Sequence, residues 1–320
     1  MESNYTGIEE ICLVTRTRFT MKMKNTNAFM WETYSVPDPD AASSDGLDTF
    51  EIRTMRAGRT GARKTWSAAP VLLDYLSLKN GLKDINLKNF DDGLSLDMAL
   101  ETDSDGLRTH SCCNILELGG GSGFLSVGLA KSLRSSSDQA TCTTKIMCTD
   151  SDKNTIKNMR YNVVENNESK TIAVQKLDWS DDDIGGDKFA SALERMFRAK
   201  NTARHVEEQN NSFDTDRTFD PMSLITHVIG SDVHFGHQTL QPLSSVIAAI
   251  KHRNPLVQVI IMLKERSENG VADLVAEIEK KLQGQEGNHN ADSQYNKFPV
   301  HVRDVIESGV PELKMKLVEC

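Results

Sequence analysis

Asn114-Ile-Leu-Glu-Leu-Gly-Gly-Gly-Ser-Gly-Phe-Leu-Ser126 reads as a buried strand, a glycine turn and the start of a helix. Gly119, Gly121 and Gly123 stand at alternate positions of that turn. Without Cβ atoms the backbone there can come close to a nucleotide-like ligand, although a glycine trio also closes an ordinary tight turn. Further along, Cys148-Thr-Asp150 ends the next apolar run. A carboxylate at that spot accepts hydrogen bonds from both hydroxyls of an adenosine ribose. Asp150 or Asp152 could instead cap a helix starting at Lys153. A nicotinamide fingerprint, G-x-G-x-x-G/A, is not met, because Phe124 stands three residues after Gly121 and Ser126 three after Gly123.

From this segment onward strand-like runs alternate with helix-like ones, the pattern of a mostly parallel sheet covered on both faces. Strands are predicted at 114–118, 145–149, 171–177, 224–230, 256–263, 298–305 and 313–318, seven in all. Helices are predicted at 123–133, 153–166, 240–250 and 271–282. The last two strands are joined by Ile306-Glu-Ser-Gly-Val-Pro311, too short for a crossover helix, so they form a hairpin and one of them is antiparallel. The acid-rich stretch 180–220 shows no clear period and is predicted to be a surface insertion. Upstream, residues 91–110 are a polar connection, and Trp66, Ala69, Leu73 and Leu76 recur at helical spacing. Ile11, Leu13, Phe19, Met21 and Met23 alternate with polar residues, as in a half-buried strand. A turn at Asn25-Thr26-Asn27, a second strand at 29–34, a loop over 37–48 and a third strand at 50–55 make the first sixty residues a β extension.

Composition narrows the function classes. Hydrophobic residues are 38% and charged residues 26% of the 320, too apolar a mixture for a disordered chain. The net charge of −9 argues against general affinity for a phosphate backbone. The longest apolar runs, such as Val259-Ile-Ile-Met-Leu263, fall far short of the roughly 20 residues of a membrane span. The first residues carry acids and no apolar secretion segment, so a cytoplasmic location, also nuclear, is expected. Six cysteines without C-x-x-C give neither a disulfide framework nor a zinc pattern and read as reduced thiols.

Glu117-Leu-Gly-Gly-Gly-Ser-Gly123 resembles motif I of class I S-adenosylmethionine-dependent methyltransferases. The resemblance implies S-adenosyl-L-methionine as cofactor, Gly119, Gly120, Gly121 and Gly123 around it, and Glu117 orienting its methionine end. Three further segments resemble the methyltransferase-like protein-lysine methyltransferases, family 16. Lys64-Thr-Trp-Ser-Ala-Ala-Pro-Val-Leu-Leu-Asp-Tyr-Leu76 is similar to the family's helix before motif I, which implies Trp66 beside the cofactor. Lys176-Leu-Asp-Trp-Ser180 is similar to its L-[DT]-W segment, which implies Trp179 flanking the adenine with Asp178 nearby. An indole face suits a flat purine, and a core tryptophan is the other reading of each. Gly230-Ser-Asp-Val-His-Phe-Gly236 is similar to the family's [AG]-[AS]-D-x-x-Y, which implies Ser231 at the cofactor and Asp232 at the reacting amine, with Phe235 replacing the usual tyrosine.

The implied fold is a seven-stranded, mostly parallel, Rossmann-like α/β sheet with helices on both faces and a C-terminal antiparallel hairpin. Residues 1–60 are the β extension and 61–320 the methyltransferase domain. The expected partner is a protein bearing a target lysine, with no nucleic acid, membrane or metal and a monomeric chain. Other protein groups, a small molecule, or a silent cofactor-binding module are the alternatives, the last raised by Phe235. His234 and His237 lie three apart in the same loop, His234 being the candidate base. Asp181-Asp-Asp183 reads as a solvated loop or as an attractor of a cationic target.

Overall fold

The computed structural model describes residues 10–13, 18–20, 29–37, 47–55, 64–77, 113–133, 144–180, 187–197, 220–265, 270–283, 300–307 and 314–320. In chain order these hold β1 (Glu10–Leu13), β2 (Arg18–Thr20), β3 (Phe29–Pro37), β4 (Leu47–Met55) and α1 (Ala68–Ser77). Then follow β5 (Asn114–Leu118), α2 (Phe124–Leu133), β6 (Lys145–Asp150), α3 (Lys153–Glu165), β7 (Ile172–Lys176) and α4 (Asp187–Phe197). A short 3₁₀ turn (Pro221–Leu224), β8 (His227–Ser231), α5 (His237–Arg253), β9 (Gln258–Lys264), α6 (Val271–Gln283), β10 (His301–Glu307) and β11 (Lys314–Glu319) complete the chain.

The large sheet runs β1-β10-β11-β9-β8-β5-β6-β7. Strands β5 to β9 pair in parallel, and β11 is antiparallel to both β9 and β10, as the short link between the last two strands requires. All seven expected strands are present. An eighth, β1, joins β10 in parallel at the edge, so the alternating run from Ile11 to Phe19 is not one strand. Arg18–Thr20 belongs instead to a second, three-stranded antiparallel sheet, β2-β3-β4.

Why the central strands read as continuous apolar runs is plain from their neighbours. Successive side chains point to opposite faces, and both faces are covered. Ile115, Ile229, Ile260 and Met262 face one core with α1, α2 and the inner side of the small sheet. Leu116, Val228, Ile261 and Leu263 face the other, with α4, α5 and α6. Tyr34, Val36, Phe50 and Ile52 of β3 and β4 are buried in the first core, where the Tyr34 and Phe124 rings lie 4.4 Å apart. The β extension is therefore packed into the domain.

The expected surface insertion at 180–220 needs correction. Its residues 187–197 form α4, whose Phe189, Ala192, Leu193 and Phe197 recur at helical spacing and are buried in the second core. The expected strand start at 224 is also displaced, because Asp220 caps the 3₁₀ turn and delays β8 to His227. The turn at Asn25–Asn27, the polar connection 91–110, the acids Asp181–Asp183 and most of the loop over 37–48 lie outside the described residues. Among the described residues, no helix is long and apolar enough to cross a membrane.

Candidate active site

Strand order reverses at β5, which has β8 on one side and β6 on the other, and ligands of open α/β sheets sit at the strand ends beside such a reversal. The glycine turn follows β5, Asp150 ends β6, Trp179 follows β7, and Ser231 and Asp232 follow β8. Residues far apart in sequence thus share one end of the sheet.

The turn needs its glycines for two reasons. Gly119 has φ of 62°, and a Cβ there would come within 3.0 Å of Val233 Cγ1 and 3.3 Å of the Trp179 ring. A Cβ on Gly120 would run into Cys148 Sγ. The Gly120 N–H donates to the Thr149 carbonyl at 2.7 Å and the Gly123 N–H to the Gly120 carbonyl at 2.8 Å, which fixes the loop against the end of β6.

Asp150 and Asp152 divide the two roles left open by sequence. Asp152 is the helix cap, accepting the Thr155 N–H at 2.8 Å. Asp150 accepts the Gly121 N–H on Oδ2 at 3.2 Å and the Asp152 N–H on Oδ1 at 3.0 Å. Each oxygen keeps lone-pair capacity for a further donor, as a vicinal diol would use. Burial pushes the Asp150 carboxyl up, with the nearby Asp152 carboxylate adding to the rise, and the backbone N–H groups of Asp152, Gly121 and Ser151 oppose it.

Trp179 lies over this turn with its ring edge beside Gly119. Its indole N–H is buried and has no hydrogen-bond partner among the described residues. Asp178 holds the segment by accepting the Ser180 N–H at 3.1 Å and the Ser180 hydroxyl at 2.7 Å.

Glu117, expected to orient the cofactor's methionine end, lies within β5. It is 1% exposed, beneath the turn, accepting from the Ser126 hydroxyl and, at 2.9 Å, from the Cys148 thiol. Burial raises its carboxyl, and those two donors partly offset the rise. The structure makes it a support for Gly120 from below. Trp66 stands just before α1, its carbonyl accepting the Ala69 N–H at 3.0 Å and the Lys64 ammonium lying 4.6 Å from its ring centroid.

After β8 the chain turns sharply. Ser231 is partly exposed, and Asp232 adopts φ of 51°, a left-handed conformation that aspartate tolerates better than most residues. The Asp232 N–H donates to the Met262 carbonyl and its Oδ1 accepts the Lys264 N–H, both at 2.9 Å. Val233 is buried under Gly119. His234 is 2% exposed, its Nδ1 3.0 Å from the Thr239 hydroxyl, with a further bond to the Gly270 backbone. Burial, the largest effect, lowers its pKa. This histidine ties the start of α5 to the start of α6, and the candidate base is thereby a buried connector. Phe235, by contrast, is 52% exposed. Among the described residues no three His, Cys, Asp or Glu side chains gather as a metal ion would need. An open cavity of about 480 Å³ lies elsewhere, lined by Gln175, Asp187, Lys188, Ser191 and Arg195, and shares no residue with the strand-end cluster.

The set fits a ligand with a purine, a ribose and an amino-acid end: an indole face with an unmatched N–H, a carboxylate with remaining acceptor capacity, and a backbone turn packed too tightly for a Cβ at Gly119, Gly120 or Gly123. Sequence reasoning missed Val233, Cys148 and Ser126, which shape the cradle from beneath and carry no motif of their own.

Comparison with known proteins finds partial likeness. No curated protein matches the sequence. Similar solved structures include a methyltransferase from Agrobacterium tumefaciens described as S-adenosylmethionine-dependent (10% identity, 99% of this chain and 93% of that one, TM-score 0.44). Human methyltransferase 10 domain containing protein (12%, 80% and 82%, 0.40) is another. So is the N-terminal domain of human METTL16 in complex with S-adenosylhomocysteine (12%, 78% and 70%, 0.41). Residues 48–194 match the Methyltransf_16 family, described as lysine methyltransferase. That match spans β4 through most of α4 and includes the glycine turn, Asp150 and Trp179. Over those residues the chain is similar to this family of lysine methyltransferases.

Proposed function

We propose that the protein transfers a methyl group from S-adenosylmethionine to the ε-amine of a lysine in a protein substrate. The observation that carries this reading is Asp232, a carboxylate fixed at the end of β8 beside the glycine turn, within a chain matched by a family of lysine methyltransferases. The acidic balance of the chain, −9, supports a cationic partner over a nucleic acid.

When bound, the cofactor supplies an electrophilic methyl group on a sulfonium and leaves as a neutral thioether. The chain positions the two reactants. Gly119 to Gly123 and Asp150 would hold the adenosyl part by backbone and carboxylate groups, and Trp179 would close the purine side. Lysine in water has a pKa of about 10.4, so its amine must lose a proton before its nitrogen can form the new C–N bond. Asp232 would accept hydrogens of that amine and so orient it, the proton leaving to solvent. Buried Val233 and partly buried Trp179 would limit water around the reacting atoms.

Incubation of the full chain with methyl-labelled S-adenosylmethionine and a cell lysate tests the reading. Label on lysine nitrogen, located by mass spectrometry of digested proteins, is the expected result. Label on RNA, on histidine or on a small molecule alone overturns the lysine assignment.

A further inference from the structure

β4 is the last strand of the small sheet, and its outer edge presents the N–H and C=O groups of Glu51 and Arg53. Among the described residues no strand covers that edge. Helix α3 covers it with asparagines at every fourth position, Asn158, Asn162 and Asn166, which fall on one helical face. Asn166 accepts the Glu51 N–H at 3.2 Å and donates to the Glu51 carbonyl at 2.7 Å. Asn162 accepts the Arg53 N–H and donates to the Arg53 carbonyl, both at 2.9 Å. Asn158 donates to the same carbonyl at 2.8 Å and accepts Arg53 Nε at 2.8 Å. Each side-chain amide supplies a donor and an acceptor, so the stripe pairs with the strand edge as a neighbouring strand would. The Arg53 guanidinium is held between the Tyr161 and Phe29 rings, 3.3 and 4.2 Å from their centroids.

Asn162 does one thing the other two do not. Its second amide hydrogen goes to the Ser122 carbonyl, inside the glycine turn, at 2.8 Å. An asparagine amide has two N–H donors and one carbonyl, and at Asn162, 1% exposed, both donors and the carbonyl are engaged. The far end of the turn is gripped by the same sheet through Phe124, which packs on Tyr34 and on Phe50 at 5.5 Å. The small sheet therefore holds the turn at Ser122 by a hydrogen bond and at Phe124 by rings.

We propose that Asn162 is a positioning residue for the cofactor turn, through which the N-terminal sheet sets affinity for the adenosyl ligand. The proposal rests on the cofactor reading given above. It assigns the N-terminal sheet a part in cofactor binding in addition to any part in choosing a target. Removing the Asn162 amide leaves the buried Ser122 carbonyl without this donor, so the backbone that cradles the ligand loses its preset shape. Removing Asn158 loosens the same strand edge without touching the turn.

The test uses the full chain and S-adenosylhomocysteine as probe, with Asn162→Ala and Asn158→Ala compared by thermal unfolding and by titration calorimetry well below the melting point. Both variants should melt earlier. Asn162→Ala should bind the probe about tenfold more weakly, equivalent to about 1.4 kcal/mol, and Asn158→Ala within about twofold of the parent. Equal weakening in both overturns the proposal. If Asn162→Ala does not fold, hydrogen exchange of the parent chain decides: the probe should slow the Arg53 amide, bonded to Asn162, more than the Glu51 amide, bonded to Asn166. Equal protection of the two amides overturns it. A parent chain that binds no probe overturns the cofactor reading and this inference together, whereas binding with both variants weakened alike overturns this inference alone.

Discussion

Asp232 meets two demands at once: its Oδ1 holds the Lys264 N–H and so ties β8 to β9, and its carboxylate is the acceptor assigned to the substrate amine. Asp232→Asn separates them, because the amide oxygen can still accept from Lys264 while the negative charge is lost. Label transfer should fall about 100-fold or more, the scale of a misplaced reactant, with S-adenosylhomocysteine affinity within a few-fold. Transfer at the parent rate removes Asp232 from the mechanism. A second residue carries a pH dependence. His227, on β8, is fully buried, with Nδ1 2.8 Å from the Thr226 hydroxyl and no partner for Nε2 among the described residues. Burial lowers its pKa to about 4 from 6.5. The unfolded chain then binds the proton more readily, so this share of stability is complete above about pH 6.5 and is lost as pH falls toward 4. Between pH 7 and 5 the loss should be about 2 kcal/mol in urea unfolding, and His227→Leu should lose correspondingly less over that range. Identical pH slopes for parent and variant would refute the assignment.

Elements were legible where periodicity is local and hidden where partners are distant. β5, β6 and the helices that follow them read directly from apolar runs and from the glycine turn. Helix α4 was obscured because its apolar positions, Phe189, Leu193 and Phe197, lie amid acidic and polar sequence that suggested a loop. The odd-position pattern from Ile11 onward was genuine strand periodicity, but periodicity does not say which sheet a strand joins, and β1 and β2 join different ones. Asn158, Asn162 and Asn166 recur at every fourth position of α3, but nothing in the chain marks them out, because only the packed fold supplies the strand edge they cover. The same hairpin yields a stability prediction. Phe50 is 2% exposed between Tyr34 and Phe124, with its ring 5.5 Å from each. Phe50→Ala should lower unfolding free energy by about 3 to 5 kcal/mol, read from denaturant midpoints. A change below about 1 kcal/mol would mean that the hairpin is not part of the core.

Across the whole molecule, the candidate site is a product of topology. Four strands deliver Gly119 to Gly123, Asp150, Trp179 and Asp232 to one end of the sheet, from positions spread over more than a hundred residues. Sequence motifs located those residues because backbone chemistry constrains them: a turn without Cβ atoms, an acid at a strand end, an indole after the next strand. The supporting residues Val233 and Ser126 were not legible, since apolar contact and a buried hydroxyl bond across the fold leave no spacing in the chain. Calorimetric titration of the full chain with S-adenosylhomocysteine tests the account most directly. The parent should bind one equivalent, and Asp150→Ala should weaken binding by about 1.5 to 3 kcal/mol, the scale of hydrogen bonds to a charged group. No binding to the parent, or unchanged affinity in Asp150→Ala, would contradict it.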